Sequence, residues 1–182
     1  MTIYTMPMSI IFYFDNVSAS HLEESMAINS KDKVISHKPA KPIGHFCHVR
    51  QFGDILYVSG QLPFDDNGLV VAGKVGSEVG LDDACEAAKL CVLNGFQAIH
   101  DLLGPDWKER IVVARHTVFV ACGSDKVALP EIANAASSEI CDVLGPDQVS
   151  ARSAVGVCQL PANSPVEVEM TLGLLSEDQS VA

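Results

Sequence analysis

The stretch Ala151-Arg152-Ser153-Ala154-Val155-Gly156-Val157, the turn-like run Cys158-Gln159-Leu160-Pro161-Ala162-Asn163-Ser164-Pro165, and then Val166-Glu167-Val168-Glu169-Met170 decide how this chain is read. Both flanking runs are short and rich in small or β-branched residues, which suits two strands joined by a turn. Arg152 sits among Ala151, Ser153, Ala154, Val155 and Val157, so it is expected in a buried strand, where a guanidinium needs an anion. That anion is either a structural carboxylate or the carboxylate of a ligand gripped through two parallel hydrogen bonds. In the second run the alternation puts Glu167 and Glu169 on one face and the valines on the other. The alternation leaves a half-solvated strand and a functional carboxylate both open.

A hairpin of these two strands would set Glu167 opposite Val157, five residues from Arg152, or about 16 Å at about 3.3 Å per residue. One small ligand cannot touch both side chains from a single flat hairpin. A site that uses both is therefore composite.

Upstream, Cys47 to Phe52, the turn signal Gly53-Asp54 and Ile55 to Ser59 read as a hairpin. Leu81 to Leu103 repeats Ala84, Ala88, Cys91, Val92, Gly95, Ile99 and Leu102 at helical steps, with Asp82 and Asp83 in the first turn and Gly104-Pro105 behind it. The small residues on this stripe imply close packing on a sheet. Ile111 to Ala121 reads as a strand, and Leu129 to Leu144 as a second helix with Pro130 in its first turn and Gly145-Pro146 as its stop. The order strand, strand, helix, strand, helix, strand, strand predicts an α+β domain, a mixed or antiparallel sheet with two helices on one face.

The 182 residues are 48% hydrophobic, which fits one domain with a real core. Twelve basic against 23 acidic residues give a net charge of −11. A nucleic acid would have to approach against that field, so no nucleic-acid partner is expected. The six cysteines contain no Cys-x-x-Cys pair and fall within helix or strand patterns, which suits reduced thiols in the cytoplasm. The six histidines lack ligand spacing, so no metal site is expected, and Gly73-Lys74-Val75-Gly76 lacks the frame of a phosphate loop, so no cofactor is expected either.

Residues 1–41 form a compositionally separate extension, expected to be poorly ordered or peripheral. Its apolar opening, Met6 to Phe14, is too short to span a bilayer, and the first basic residue is Lys31, unlike a signal or transit peptide. No membrane partner is expected. The folded domain is placed at 42–176, with a C-terminal tail at 177–182.

Five runs occur in a telling order: Gly53-Asp54-Ile55-Leu56-Tyr57-Val58-Ser59-Gly60-Gln61, Gly73-Lys74-Val75-Gly76, Ala151-Arg152-Ser153-Ala154-Val155-Gly156-Val157, Leu160-Pro161 and Val166-Glu167-Val168-Glu169. Together they resemble the Rid (YjgF-like, L-PSP endoribonuclease) family, in its longer Gly-Lys-Val-Gly branch, from about Ile43 to Leu174. The resemblance implies a chorismate-mutase-like fold, a homotrimer, and pockets in the clefts between subunits.

It further implies hydrolytic deamination of reactive enamines and imines to 2-oxo acids and ammonia. Arg152 would hold the substrate carboxylate and Glu167 would position or activate water, with Ser59, Gly60, Phe46, Asn134 and Ala154 as substrate-binding candidates. Two positions depart from the family's usual residues: Phe46 stands where a tyrosine is common, and Ala154 where cysteine or threonine is. A non-catalytic trimer that binds small carboxylates is the alternative these departures favour. An endoribonuclease is a third reading, which rests on the family's older name.

Overall fold

The computed structural model describes residues 44–175. The expected extension at 1–41 and tail at 177–182 lie outside them. Strands β1 (Val49–Phe52) and β2 (Ile55–Gln61) form the predicted hairpin, with Val49 opposite Val58 and Phe52 opposite Ile55. A two-stranded ribbon, β3 (Phe64–Asp65) with β4 (Gly68–Leu69), leads to helix α1 (Leu81–Leu103). A 3₁₀ turn at Trp107–Arg110 precedes β5 (Ile111–Ala121), which is followed by helix α2 (Leu129–Leu144), β6 (Ala151–Val157) and β7 (Val166–Leu174).

Both helices end where the sequence places glycine. Gly104 and Gly145 take φ of 86° and 111°, values a side chain resists, and their amides bond the carbonyls of His100 and Cys141.

The five main strands run in the order β1-β2-β7-β5-β6, antiparallel except for the β5–β6 pair, which is parallel. Helix α2 is the crossover that makes the parallel pair possible. Both helices lie on one face. Helix α1 contacts β2 and β7, α2 contacts β5 and β6, and the two helices pack on each other. The fold is therefore the expected α+β arrangement on a mixed sheet.

The expected hairpin of the last two strands is not formed, because β5 lies between β6 and β7. The physical reason lies in what each strand has to bury. Val166, Val168, Met170 and Leu172 of β7 are each no more than 2% exposed and need a central position under α1. Strand β6, with Arg152 and Gly156 exposed, tolerates the edge. The link from Cys158 to Pro165, bent by a 3₁₀ turn at Pro161–Asn163, steps across β5 instead of folding straight back.

The small-residue stripe of α1 sets how closely helix and sheet approach. A Cβ on Gly95 would stand 2.3 Å from Met170 Cε. With glycine there, α1 sits this close to β7 without displacing the end of the Met170 side chain.

Candidate functional site

Residues paired across neighbouring strands share a face of the sheet, so register assigns sides. His116 pairs with Arg152 on β6 and with Met170 on β7, and Met170 touches the Gly95 position of α1. Arg152 therefore points to the helix side, as its bonds to α2 require. Glu167 pairs with Phe119 and alternates with buried Val166 and Val168, so it points to the open face. Arg152 and Glu167 lie on opposite faces of one sheet.

The first half of the candidate site surrounds Arg152. Its Nη1 donates to Asn134 Oδ1 at 2.8 Å and to Ser137 Oγ at 2.9 Å. Both Nη1 hydrogens are thereby used, and Nε and Nη2 make no hydrogen bond among the described residues. That free edge has the geometry for a side-on, bidentate carboxylate. Arg152 is exposed and its partners among the described residues are neutral, so the expected burial is overturned and no carboxylate of these residues serves as its anion, which leaves the ligand carboxylate of the two expected alternatives. The edge position of β6 explains it: only the Arg152 stem needs cover there. A cavity of about 440 Å³ is lined by Arg152 together with Ser137, Cys141, Gln148, Val149 and Ser150. Ala154, half-buried two residues along β6, packs against the core on the same face.

Behind Arg152 lies a histidine that sequence reasoning did not single out. His116 is 2% exposed, with Nδ1 2.8 Å from Ser150 Oγ and Nε2 3.2 Å from Ser137 Oγ. Burial, reinforced by the Arg152 charge, lowers its pKa to about 4, so the ring is neutral near pH 7. A signal for Ser137 was available, since it stands three residues after Asn134 on the same helix face.

The second half surrounds Glu167. Its carboxylate lies against Gly60, where a Cβ would stand 1.6 Å from Oε1 and 2.6 Å from Cδ. Glycine there makes room for the carboxylate. Burial raises the Glu167 pKa above the usual carboxylate value, and the neighbouring Glu169 adds to it. Ser59 donates its hydroxyl to the Cys47 carbonyl at 2.8 Å, which ties the Phe46-Cys47 segment to the end of β2. Its hydroxyl is thus engaged with backbone. Phe46 is 49% exposed and meets the His48 ring edge-on at 6.1 Å.

The seven candidates therefore fall into two groups: Arg152, Asn134 and Ala154 on one side, and Glu167, Gly60, Ser59 and Phe46 on the other. Glu167 is level with Val155, two strands and three residues from Arg152, or roughly 14 Å between Cα atoms at standard strand spacing. The expected separation holds, although by another geometry than a hairpin. A different cleft of about 410 Å³, between α1 and the Val70-Val71 loop, contains none of the candidates. Among the described residues no group of three His, Cys, Asp or Glu side chains can hold a metal, and no helix is long and apolar enough to cross a membrane.

Residues 36–172 match the family described as Endoribonuclease L-PSP. The chain is 36% identical over 138 residues to Protein TCP17 of Trypanosoma cruzi, covering 74% of this chain and 84% of that protein. Among solved structures, the protein Atu1372 of Agrobacterium tumefaciens, described as of unknown function, is 30% identical with a TM-score of 0.72, covering 84% of this chain and 98% of that one. A Shewanella oneidensis MR-1 structure shares the fold at 18% identity, with a TM-score of 0.73 over 80% of this chain and 99% of its own.

Proposed function

The chain belongs to the L-PSP endoribonuclease family, and from that premise we propose that it hydrolyses reactive 2-imino acids and their enamines to 2-oxo acids and ammonia. The observation that carries this reading is the Arg152 guanidinium, with Nη1 anchored by Asn134 and Ser137 and its Nε–Nη2 edge without a hydrogen bond among the described residues, on a residue that lines a cavity. A 2-imino acid offers a carboxylate to that edge and an electrophilic carbon beside it.

Glu167 is the proton carrier. Water adds to C2, and each of its two protons passes through the Glu167 carboxylate to the nitrogen. The C–N bond then breaks, releasing ammonia and leaving the carbonyl. A carboxylate held above its usual pKa accepts and returns a proton more readily near neutral pH, and such assistance is worth roughly 10²–10⁴-fold. Since Arg152 and Glu167 of one chain face opposite ways, the reading requires Arg152 of one subunit to meet Glu167 of the next, in a homotrimer with sites in its clefts.

A second reading, a trimer that binds small carboxylates without turning them over, is favoured by Phe46 and Ala154. Neither side chain supplies a hydroxyl or thiol to the pocket. The ribonuclease reading meets the −11 charge, and RNA binding is expected to be absent even at low salt, where electrostatic affinity is greatest.

The test follows loss of freshly generated 2-iminopropanoate by semicarbazide trapping, in wild type and Arg152→Ala. Turnover that disappears on substitution supports the deaminase. A wild type that binds carboxylates through Arg152 and hydrolyses no imine supports the binding protein.

A further inference from the structure

We propose that His116 is the positioning residue of the Arg152 clamp, acting through the Ser137 hydroxyl, which it holds in the orientation that accepts from the guanidinium. The inference rests on the carboxylate-clamp reading of Arg152 and adds to it the buried machinery that aims the clamp. Ser137 Oγ has three partners: the Ala133 carbonyl at 3.0 Å, His116 Nε2 at 3.2 Å and Arg152 Nη1 at 2.9 Å. A hydroxyl owns one hydrogen and two lone pairs. The arrangement that uses every contact has Ser137 donating to Ala133 and accepting from both Arg152 and His116 Nε2–H. His116 is then the Nε2–H tautomer, and its bare Nδ1 accepts from the Ser150 hydroxyl at 2.8 Å.

In that arrangement the His116 N–H occupies the second lone pair of Ser137 and leaves the hydroxyl no freedom to turn. The chain of contacts runs Ser150, His116, Ser137, Arg152, and Asn134 closes it by taking the other Nη1 hydrogen. The guanidinium is thereby fixed about its Nε–Cζ bond with its Nε–Nη2 edge left free for a ligand. The ordinary reading of a core histidine between two serines is polar satisfaction alone. The shared Ser137 oxygen is what extends its influence to the clamp.

Nitrogen-15 spectra of the Arg152 guanidinium in the ligand-free protein test this directly. Wild type is expected to show resolved, slowly rotating Nη groups. His116→Leu and Ser137→Ala are each expected to average them. His116→Gln, whose amide N–H reaches where Nε2 stands, is expected to restore them. In parallel, the KM for 2-iminopropanoate is expected to rise about tenfold in His116→Leu with kcat within about twofold of wild type, and to rise no further when His116→Leu is added to Ser137→Ala.

Arg152 signals unchanged in His116→Leu at unchanged Tm overturn the proposal, as does additivity of the two substitutions. Should His116→Leu fail to fold, Ser137→Ala decides, because signals unchanged there remove the relay. The spectra need no substrate. A wild type without imine turnover therefore strikes the proposed function and leaves the His116 question to be answered by the spectra.

Discussion

Arg152 and Glu167 project from opposite faces of the same sheet, Arg152 beside α2 and Glu167 beside Gly60 on the uncovered side. If they serve one site, they come from different chains. Arg152→Ala and Glu167→Gln, each inactive alone, are then expected to complement when unfolded and refolded together. In a cyclic trimer every mixed assembly regains one intact site of three, so equal mixing returns about one quarter of wild-type activity. Activity absent from refolded mixtures of proven heterotrimers would place both groups' roles elsewhere.

Gly60→Ala isolates the second half of the site. Gly60 has no left-handed backbone and the three atoms nearest an added methyl all belong to the Glu167 side chain, which must swing away. Turnover is expected to fall about 10–100-fold by misplacement of the proton carrier, with carboxylate binding at Arg152 and Tm unchanged. Retained kcat would show that Glu167 need not sit where it does.

Glu169 gives a test of the carboxylate's role through pH. Burial is the first cause of the raised Glu167 pKa and Glu169 the second, so Glu169→Gln removes only the second. If ionised Glu167 takes the proton, activity rises with pH through its raised pKa, and in Glu169→Gln that limb moves to lower pH. The profile is the measurement. A limb that stays in place assigns the titration to another group.

Most of the fold was legible because its signals are local. The helices over Leu81–Leu103 and Leu129–Leu144 follow from periodicity and their Gly-Pro stops, and the strand over Ile111–Ala121 from its β-branched alternation. The partner of β6 was not legible, since nothing in Val155 or Val157 says whether β5 or β7 lies beside it. Strand β5 hides a second fact. Ala114 is an extra residue between the pairs Val113–Leu172 and Arg115–Thr171. Strict alternation from Val113 would turn Arg115 inward; the irregularity turns His116 inward instead and creates the relay behind Arg152. Arg152 itself was recognisable as special, but the edge strand leaves it exposed and α2 gives it neutral oxygens in place of a structural carboxylate.

Gly95→Ala opposes two effects of different size. In an ordinary helix interior alanine is better than glycine by about 0.5–1 kcal/mol. Here the new methyl would stand 2.3 Å from Met170 Cε, so the end of that flexible but buried side chain, 2% exposed, must move within the core. Overpacking of a filled core costs about 1–3 kcal/mol, so a net loss of stability is expected in denaturant unfolding. Gly95→Ala combined with Met170→Val, which shortens the opposing side chain, is expected to recover part of it. A more stable Gly95→Ala protein would mean that α1 lifts from the sheet at little cost.

The stability of the domain is expected to carry the mark of His116. Its pKa falls from 6.5 to about 4 on folding, so the folded state favours the neutral ring. That contribution is fully present above pH 6.5 and is lost as pH falls through the window from 6.5 to 4. Glu167 has the opposite sign: its raised pKa favours the protonated form, so its contribution is present below 4.5 and declines as pH rises through the folded value. Since the two act in adjoining ranges, the comparison has to be made by difference. Urea unfolding of wild type and His116→Gln across pH 4 to 7 should converge at the acid end and separate toward neutrality. Parallel curves would show that the His116 ring keeps its ordinary affinity for the proton, and that its burial between Ser137 and Ser150 is looser than the geometry describes.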